Sequence, residues 1–215
     1  MRPRPVARQR DRAVGKPSYW HELKEGFRYV AGSSWLWVTV VLFAFGNIFT
    51  AGATVVLLPL LADARFGGAA ALGWLLSGMA GGALVAALVL NRVALRRRGW
   101  AAYLGVAVAG LGLVGVALAP TVVFGVLATA IVGASLTVFG VVWETTVQAL
   151  VSEEVLGRVV SLDMLGSFAL LPLGFVVTGS LAQVSGAPPL ILVYGGITTG
   201  LALTGLLVPA IKQLD

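Results

Sequence analysis

The chain has 215 residues, of which 58% are hydrophobic and only 11% charged, and a mean hydropathy of +0.94. That balance leaves too few polar side chains to cover a water-soluble fold and points to a lipid-facing surface. It contains no cysteine, which excludes disulfides and thiol chemistry, and one histidine, His21, which leaves little material for a zinc centre. The formal charge of +6 is distributed between hydrophobic stretches, a pattern that suits a membrane boundary and not a nucleic-acid surface.

Residues 1–32 form a basic tail, and residues 33–215 a transmembrane domain of six helices. The opening MRPRPVARQRDRAVGK is too polar to hold the apolar centre of a signal peptide. Ser18 can cap a short helix in which Trp20, Leu23, Phe27 and Val30 recur at three- and four-residue spacing beside Lys24 and Arg28. Such a helix lies in the membrane interface near anionic headgroups; a solvated linker is the alternative.

An apolar helix of about 20 residues crosses the hydrocarbon core, and by that measure the chain divides into spans at about 35–61, 68–90, 101–119, 122–143, 159–182 and 190–211. Pro120 and Thr121 make a minimal turn between the third and fourth. Residues 144–158 form a polar, partly helical connection, and Ser185 to Pro189 punctuate the chain before the sixth span. Small residues are frequent: the chain has 28 glycines, as expected where backbones must approach closely. In the second span Gly73, Ser77 and Gly81 share a ridge with Gly78 and Gly82 beside it. Embedded in an apolar run, these glycines read as helix packing and give no nucleotide site.

Lysine and arginine set the orientation. Eight lie before the first span, at positions 2, 4, 8, 10, 12, 16, 24 and 28; Arg92, Arg96, Arg97 and Arg98 follow the second span, and Arg158 and Lys212 fall on the same side. Arg65 alone falls opposite. The expectation is a multi-pass protein of the plasma membrane with both termini in the cytoplasm.

Polar groups are expensive in hydrocarbon, so their positions mark helices that face protein or water. Asn47, Thr50 and Thr54 share one face of the first span, and Thr137, Glu144 and Gln148 one face of the fourth. Both faces are candidates to line a substrate cavity; the alternative is that the threonines bond their own preceding turn and Asn47 a neighbouring helix. The third span has Tyr103 as its only polar side chain and reads as a lipid-facing support. Glu144 and Asp163 are the acidic groups placed to trade protons, as coupling to a proton gradient requires. Their bland alternatives are an interfacial Glu144 and an Asp163 paired with Arg158. With His21 outside the spans and no serine–histidine or paired-carboxylate arrangement at one depth, an enzyme is not expected.

The stretch QALVSEEVLGRVVS from Gln148 to Ser161, the cluster NRVALRRRG from Asn91 and the segment WHELKEGFRYV before the first span resemble the carboxyl-terminal half of major facilitator superfamily transporters. The resemblance is closest to the branch of macrolide-efflux and enterobactin-exporter proteins. Gln148, Glu153, Glu154, Gly157, Arg158, Val159 and Ser161 match the loop pattern, while Ser152 and Leu156 stand where proline and arginine are usual; the arginine cluster lacks the family's gating aspartate. The resemblance implies an all-α, six-helix half bundle whose first and fourth spans line a cavity and whose second and fifth meet the other half. Arg92, Arg96, Arg97, Arg98, Gly157 and Arg158 would then belong to cytoplasmic gating loops. It further implies efflux of a small amphipathic compound by proton antiport, without a cofactor, in partnership with a second transporter half or a second copy. A truncated or non-transporting membrane scaffold is the alternative.

Overall fold

In hydrocarbon a backbone amide has no water to bond, so a chain this apolar must close its hydrogen bonds within each crossing segment. The structure, a computed structural model, describes residues 27, 28, 31–93 and 97–208, and among these it contains helices and no strand. Six helical rods are long and apolar enough to cross a membrane: Leu36–Phe66, Ala69–Leu90, Arg98–Leu118, Val122–Leu150, Glu153–Ser185 and Ala187–Gly205. Most of the expected interfacial helix, together with Arg96 and Lys212, lies outside the described residues.

Two rods are interrupted. The first consists of α1 (Ser34–Ala51), a π-helical stretch (Gly52–Leu57) and α2 (Leu58–Phe66). Pro59 sits at the start of α2, and a proline there removes an amide donor and crowds the preceding turn, which the wider π geometry accommodates. The fifth consists of α6 (Glu153–Phe168) and α7 (Leu171–Ser185), broken at residues 169–170 just before Pro172. The second, third, fourth and sixth rods are single helices: α3 (Ala69–Leu90), α4 (Arg98–Leu118), α5 (Val122–Leu150) and α8 (Ala187–Gly205).

The expected polar connection after the fourth span is almost entirely helical. α5 runs on to Leu150, and α6 begins at Glu153 after an extended Val151 and Ser152. Glu153 and Glu154 fill the first turn of α6, where carboxylates complement the helix dipole. Glu144 and Gln148 therefore project from a rigid helix. At the opposite end, Gly67 and Gly68 turn the chain from α2 into α3 with φ of 89° and 88°, values that glycine adopts without strain. Beside that turn Arg65 donates to the carbonyl of Ala117 at 2.7 Å, satisfying a carbonyl in the last turn of α4.

The rods pack in a chain of neighbours: second on fourth, fourth on third, third on sixth, sixth on first, and first on fifth. Lipid tails are as apolar as leucine, so close backbone approach takes the place of the hydrophobic effect. A Cβ on Gly82 would collide with the backbone of Ala130, and one on Gly133 with the carbonyl of Met79. The packing ridge of the second span is thus Gly78 and Gly82; Gly73 and Gly81 have nothing within 4 Å of a built Cβ, and Ser77 is exposed. The third span departs most from the sequence reading. Instead of a lipid-facing support it is the most enclosed of the six, because Gly110 meets Gly195 backbone to backbone, Gly205 meets the Tyr103 ring and Gly112 receives Val132.

Candidate substrate cavity

Positions four apart on a helix lie one above another, and on α1 this rule stacks Thr39, Phe43 and Asn47. On α5 it stacks Phe139 with Trp143 and Val147, with Glu144 and Gln148 on the adjoining stripe. The broken fifth rod brings Val160, Asp163, Met164, Ser167 and Phe168 to the same place. Together these residues enclose a cavity of about 400 Å³ between the first, fourth and fifth spans.

One wall of the cavity is aromatic. The rings of Phe43 and Phe139 stack with centroids 3.9 Å apart and planes 10° apart, and Phe139 and Trp143 continue the stack at 6.2 Å and 13°. Tyr103 meets Phe43 edge-on at 5.6 Å and shares a buried 2.9 Å hydrogen bond with Thr39, so the third span props this wall from behind. Across the cavity the Trp143 indole N–H donates to Asp163 Oδ2 at 2.9 Å. Asn47 Nδ2 makes a long contact, 3.4 Å, to the carbonyl of Ser167. Fourth-to-fifth and first-to-fifth approaches are therefore each tied by a polar side chain.

A smaller compartment of about 40 Å³ shares Phe43, Asn47 and Phe139 with the first and adds Thr50, Tyr103 and Thr198. Thr198 is fully buried and its hydroxyl has no protein partner. Deeper along the same rods the π stretch passes Gly52 close to Thr178, whose hydroxyl is hydrogen-bonded to Tyr194 at 2.9 Å. First, fifth and sixth spans meet there without room for a Cβ on Gly52.

The structure brings four of the sequence candidates, Asn47, Glu144, Gln148 and Asp163, into one cavity, and Thr50 into its small neighbour. Thr54 and Thr137 line neither: Thr54 Oγ1 donates to the Thr50 carbonyl and Thr137 Oγ1 to the Gly133 carbonyl, both at 2.9 Å, the self-satisfied arrangement of a helical threonine. Arg92 and Arg97 are exposed at the connection between second and third spans. Arg98 lines a small crevice together with Thr39, Tyr103, Trp143 and Thr146. Gly157 faces open space, and Arg158 is half-buried in the first half of α6. Sequence reasoning missed the aromatic wall. Its signal was the same four-residue spacing that grouped the polar residues, but Phe43, Phe139 and Trp143 are indistinguishable by spacing from lipid-facing apolar residues.

Six membrane-length helices, three of which line a partly polar cavity, define a multi-pass membrane protein. A family model described as "Transmembrane secretion effector" matches residues 6–214, and the chain belongs to that family, which is of major facilitator type. No curated protein and no solved structure gives a match.

Proposed function

We propose that the chain acts as the carboxyl-terminal six-helix half of a secondary active transporter, of the kind found in macrolide-efflux and enterobactin-exporter proteins. It exports a small amphipathic compound by proton antiport when joined to another half or to a second copy, from the plasma membrane, with both termini and the arginine-bearing loops in the cytoplasm. The observation that carries this reading is the placement of Glu144 and Asp163 in the wall of one cavity at the meeting of the first, fourth and fifth spans. Ionisable groups inside a membrane are costly, and they mark ion and substrate pathways.

Asp163 is the better coupling group, because its carboxylate bridges to Trp143 on another span. Taking up a proton weakens that bond, since a neutral carboxyl is a poorer acceptor than a carboxylate. Proton occupancy is thereby linked to how tightly the fourth and fifth rods are held. The second and fifth rods are the least enclosed of the six, which suits a pair of helices that meet a second half across the cavity.

The test is to reconstitute the protein in vesicles, impose a pH gradient and record efflux of a hydrophobic dye, with mass by light scattering fixing the number of chains. Gradient-driven efflux that Asp163→Asn abolishes supports antiport; efflux that Asp163→Asn leaves at the same gradient dependence removes Asp163 from the coupling role. A chain that assembles with nothing and moves nothing is a scaffold.

A further inference from the structure

We propose that the small compartment beside the aromatic wall is a buried hydration site, in which about two ordered waters join the first span to the sixth. Thr198 on the sixth span is fully buried and its hydroxyl has no protein partner. A helical threonine ordinarily returns its hydroxyl to its own preceding turn. Thr199, the next residue on the same helix, does so by donating to the Gly195 carbonyl at 2.9 Å, and Thr129, Thr137 and Thr145 do the same on α5. Thr198 departs from that habit at a position closed to bulk solvent. A buried hydroxyl without a partner is costly, and in native proteins such groups are met by ordered water.

The compartment that Thr198 lines, about 40 Å³ between the first, third, fourth and sixth spans, exceeds the roughly 10–15 Å³ that one water requires. Its other polar side chains are Asn47, Thr50 and Tyr103. The Tyr103 hydroxyl is engaged by Thr39. Asn47 Nδ2 is directed to the Ser167 carbonyl, which leaves Oδ1 to accept from a water, and the Thr50 hydroxyl can donate or accept. Water in this space therefore finds the two to four partners that hold it. Among the described residues no charged side chain lines the compartment, so an ion would lack a counter-charge, and an apolar occupant would leave the Thr198 hydroxyl unmet. Thr146 is a second buried hydroxyl without a protein partner, but the crevice it lines, about 10 Å³, is at the lower limit for a single water. Because Asn47 also reaches the fifth span through Ser167, water at Thr198 extends a polar link from the fifth rod through the first to the sixth. The inference is independent of the transport reading.

The experiment exposes the full chain in lipid nanodiscs to a short X-ray pulse, which makes hydroxyl radicals from water in place, and reads side-chain oxidation by mass spectrometry. Radicals formed at a bound water oxidise the residues beside it even where bulk solvent does not reach. Val106, buried and lining the compartment, is compared with Val132, buried and not lining it. Val106 is expected to be oxidised about tenfold faster. Thr198→Val keeps the shape of the side chain and removes the hydroxyl; with water in place it should slow Val106 oxidation about threefold and lower the melting temperature by about 2–4 °C. Thr198→Ser, which keeps the hydroxyl, should retain the oxidation rate. A dry compartment gives the opposite results: Val106 is oxidised no faster than Val132, and Thr198→Val melts above the parent, because valine removes an unmet polar group. Either result overturns the proposal, and the first is read on the parent chain, so loss of fold in a variant leaves the test decisive.

Discussion

The third span is clamped to its neighbours through glycines, Gly110 with its backbone on that of Gly195 and Gly112 under the Val132 side chain, whereas the fifth is held by side chains. Its ties are the hydrogen bonds of Trp143 to Asp163, Asn47 to the Ser167 carbonyl and Thr178 to Tyr194, with the side chains of Ile48 and Val40 resting on Gly174 and Gly166. The third rod is one unbroken helix; the fifth breaks ahead of Pro172, and the first, on which it packs, carries a π stretch ahead of Pro59. The contrast separates a scaffold from a part able to move. Close backbone seams lose many contacts at once when they shift, while a seam of side-chain packing and separate hydrogen bonds between interrupted helices can open in smaller steps. The cavity lies on the second kind of seam, with its aromatic wall backed by the first.

The sharpest way to break this comparison is to add one methyl group to each kind of helix. Gly110→Ala places a Cβ against the Gly195 carbonyl, where only separation of the third and sixth rods can relieve it. A loss of about 2–3 kcal/mol is expected. Gly166→Ala, in the fifth rod against the tip of the Val40 side chain on the first, should instead cost less than about 1 kcal/mol. Reversible unfolding in mixed micelles measures both; equal losses would mean that the two seams are equally tight.

Opening of the fourth-to-fifth seam is the next largest effect. Trp143→Phe keeps a ring in the aromatic wall but removes the N–H that reaches Asp163, a loss of about 1 kcal/mol. Because the chain has no cysteine, a single Ser167→Cys probe reports accessibility without background. In the Trp143→Phe background its labelling by a soluble maleimide should quicken about fivefold. An unchanged rate would show that contacts other than this bond hold the seam closed.

How much of this was legible depends on what a residue meets. The six crossings follow from length alone, and helical period brought Asn47, Glu144 and Gln148 to the face on which the cavity lies. Pro59 and Pro172 signal the two interruptions, although neither says that the first becomes π-helical. The enclosure of the third span was not legible, because glycine and alanine look the same against lipid and against a partner helix. The second span shows the same limit: Gly73, Ser77, Gly81 and Gly78, Gly82 are equally small ridges, and only the fourth rod's position selects the latter. The Trp143–Asp163 bond depends on how the chain folds back between α5 and α6, a geometry that no spacing rule reaches.

The smallest expected effect sharpens the same distinction from the polar side. Thr54 and Thr137 were grouped with Asn47 and Gln148 by helical phase, yet each hydroxyl is returned to its own preceding turn. A threonine so satisfied contributes little that valine does not, because the carbonyl it bonds already serves the helix ladder. Thr54→Val and Thr137→Val should therefore change stability by no more than about 0.5 kcal/mol and leave gradient-driven dye efflux unaltered. Asn47→Leu, by contrast, removes both a cavity-lining amide and the tie to Ser167. If either valine variant slows dye efflux as much as Asn47→Leu, the cavity extends along the whole polar face and its boundary at Thr50 is wrong.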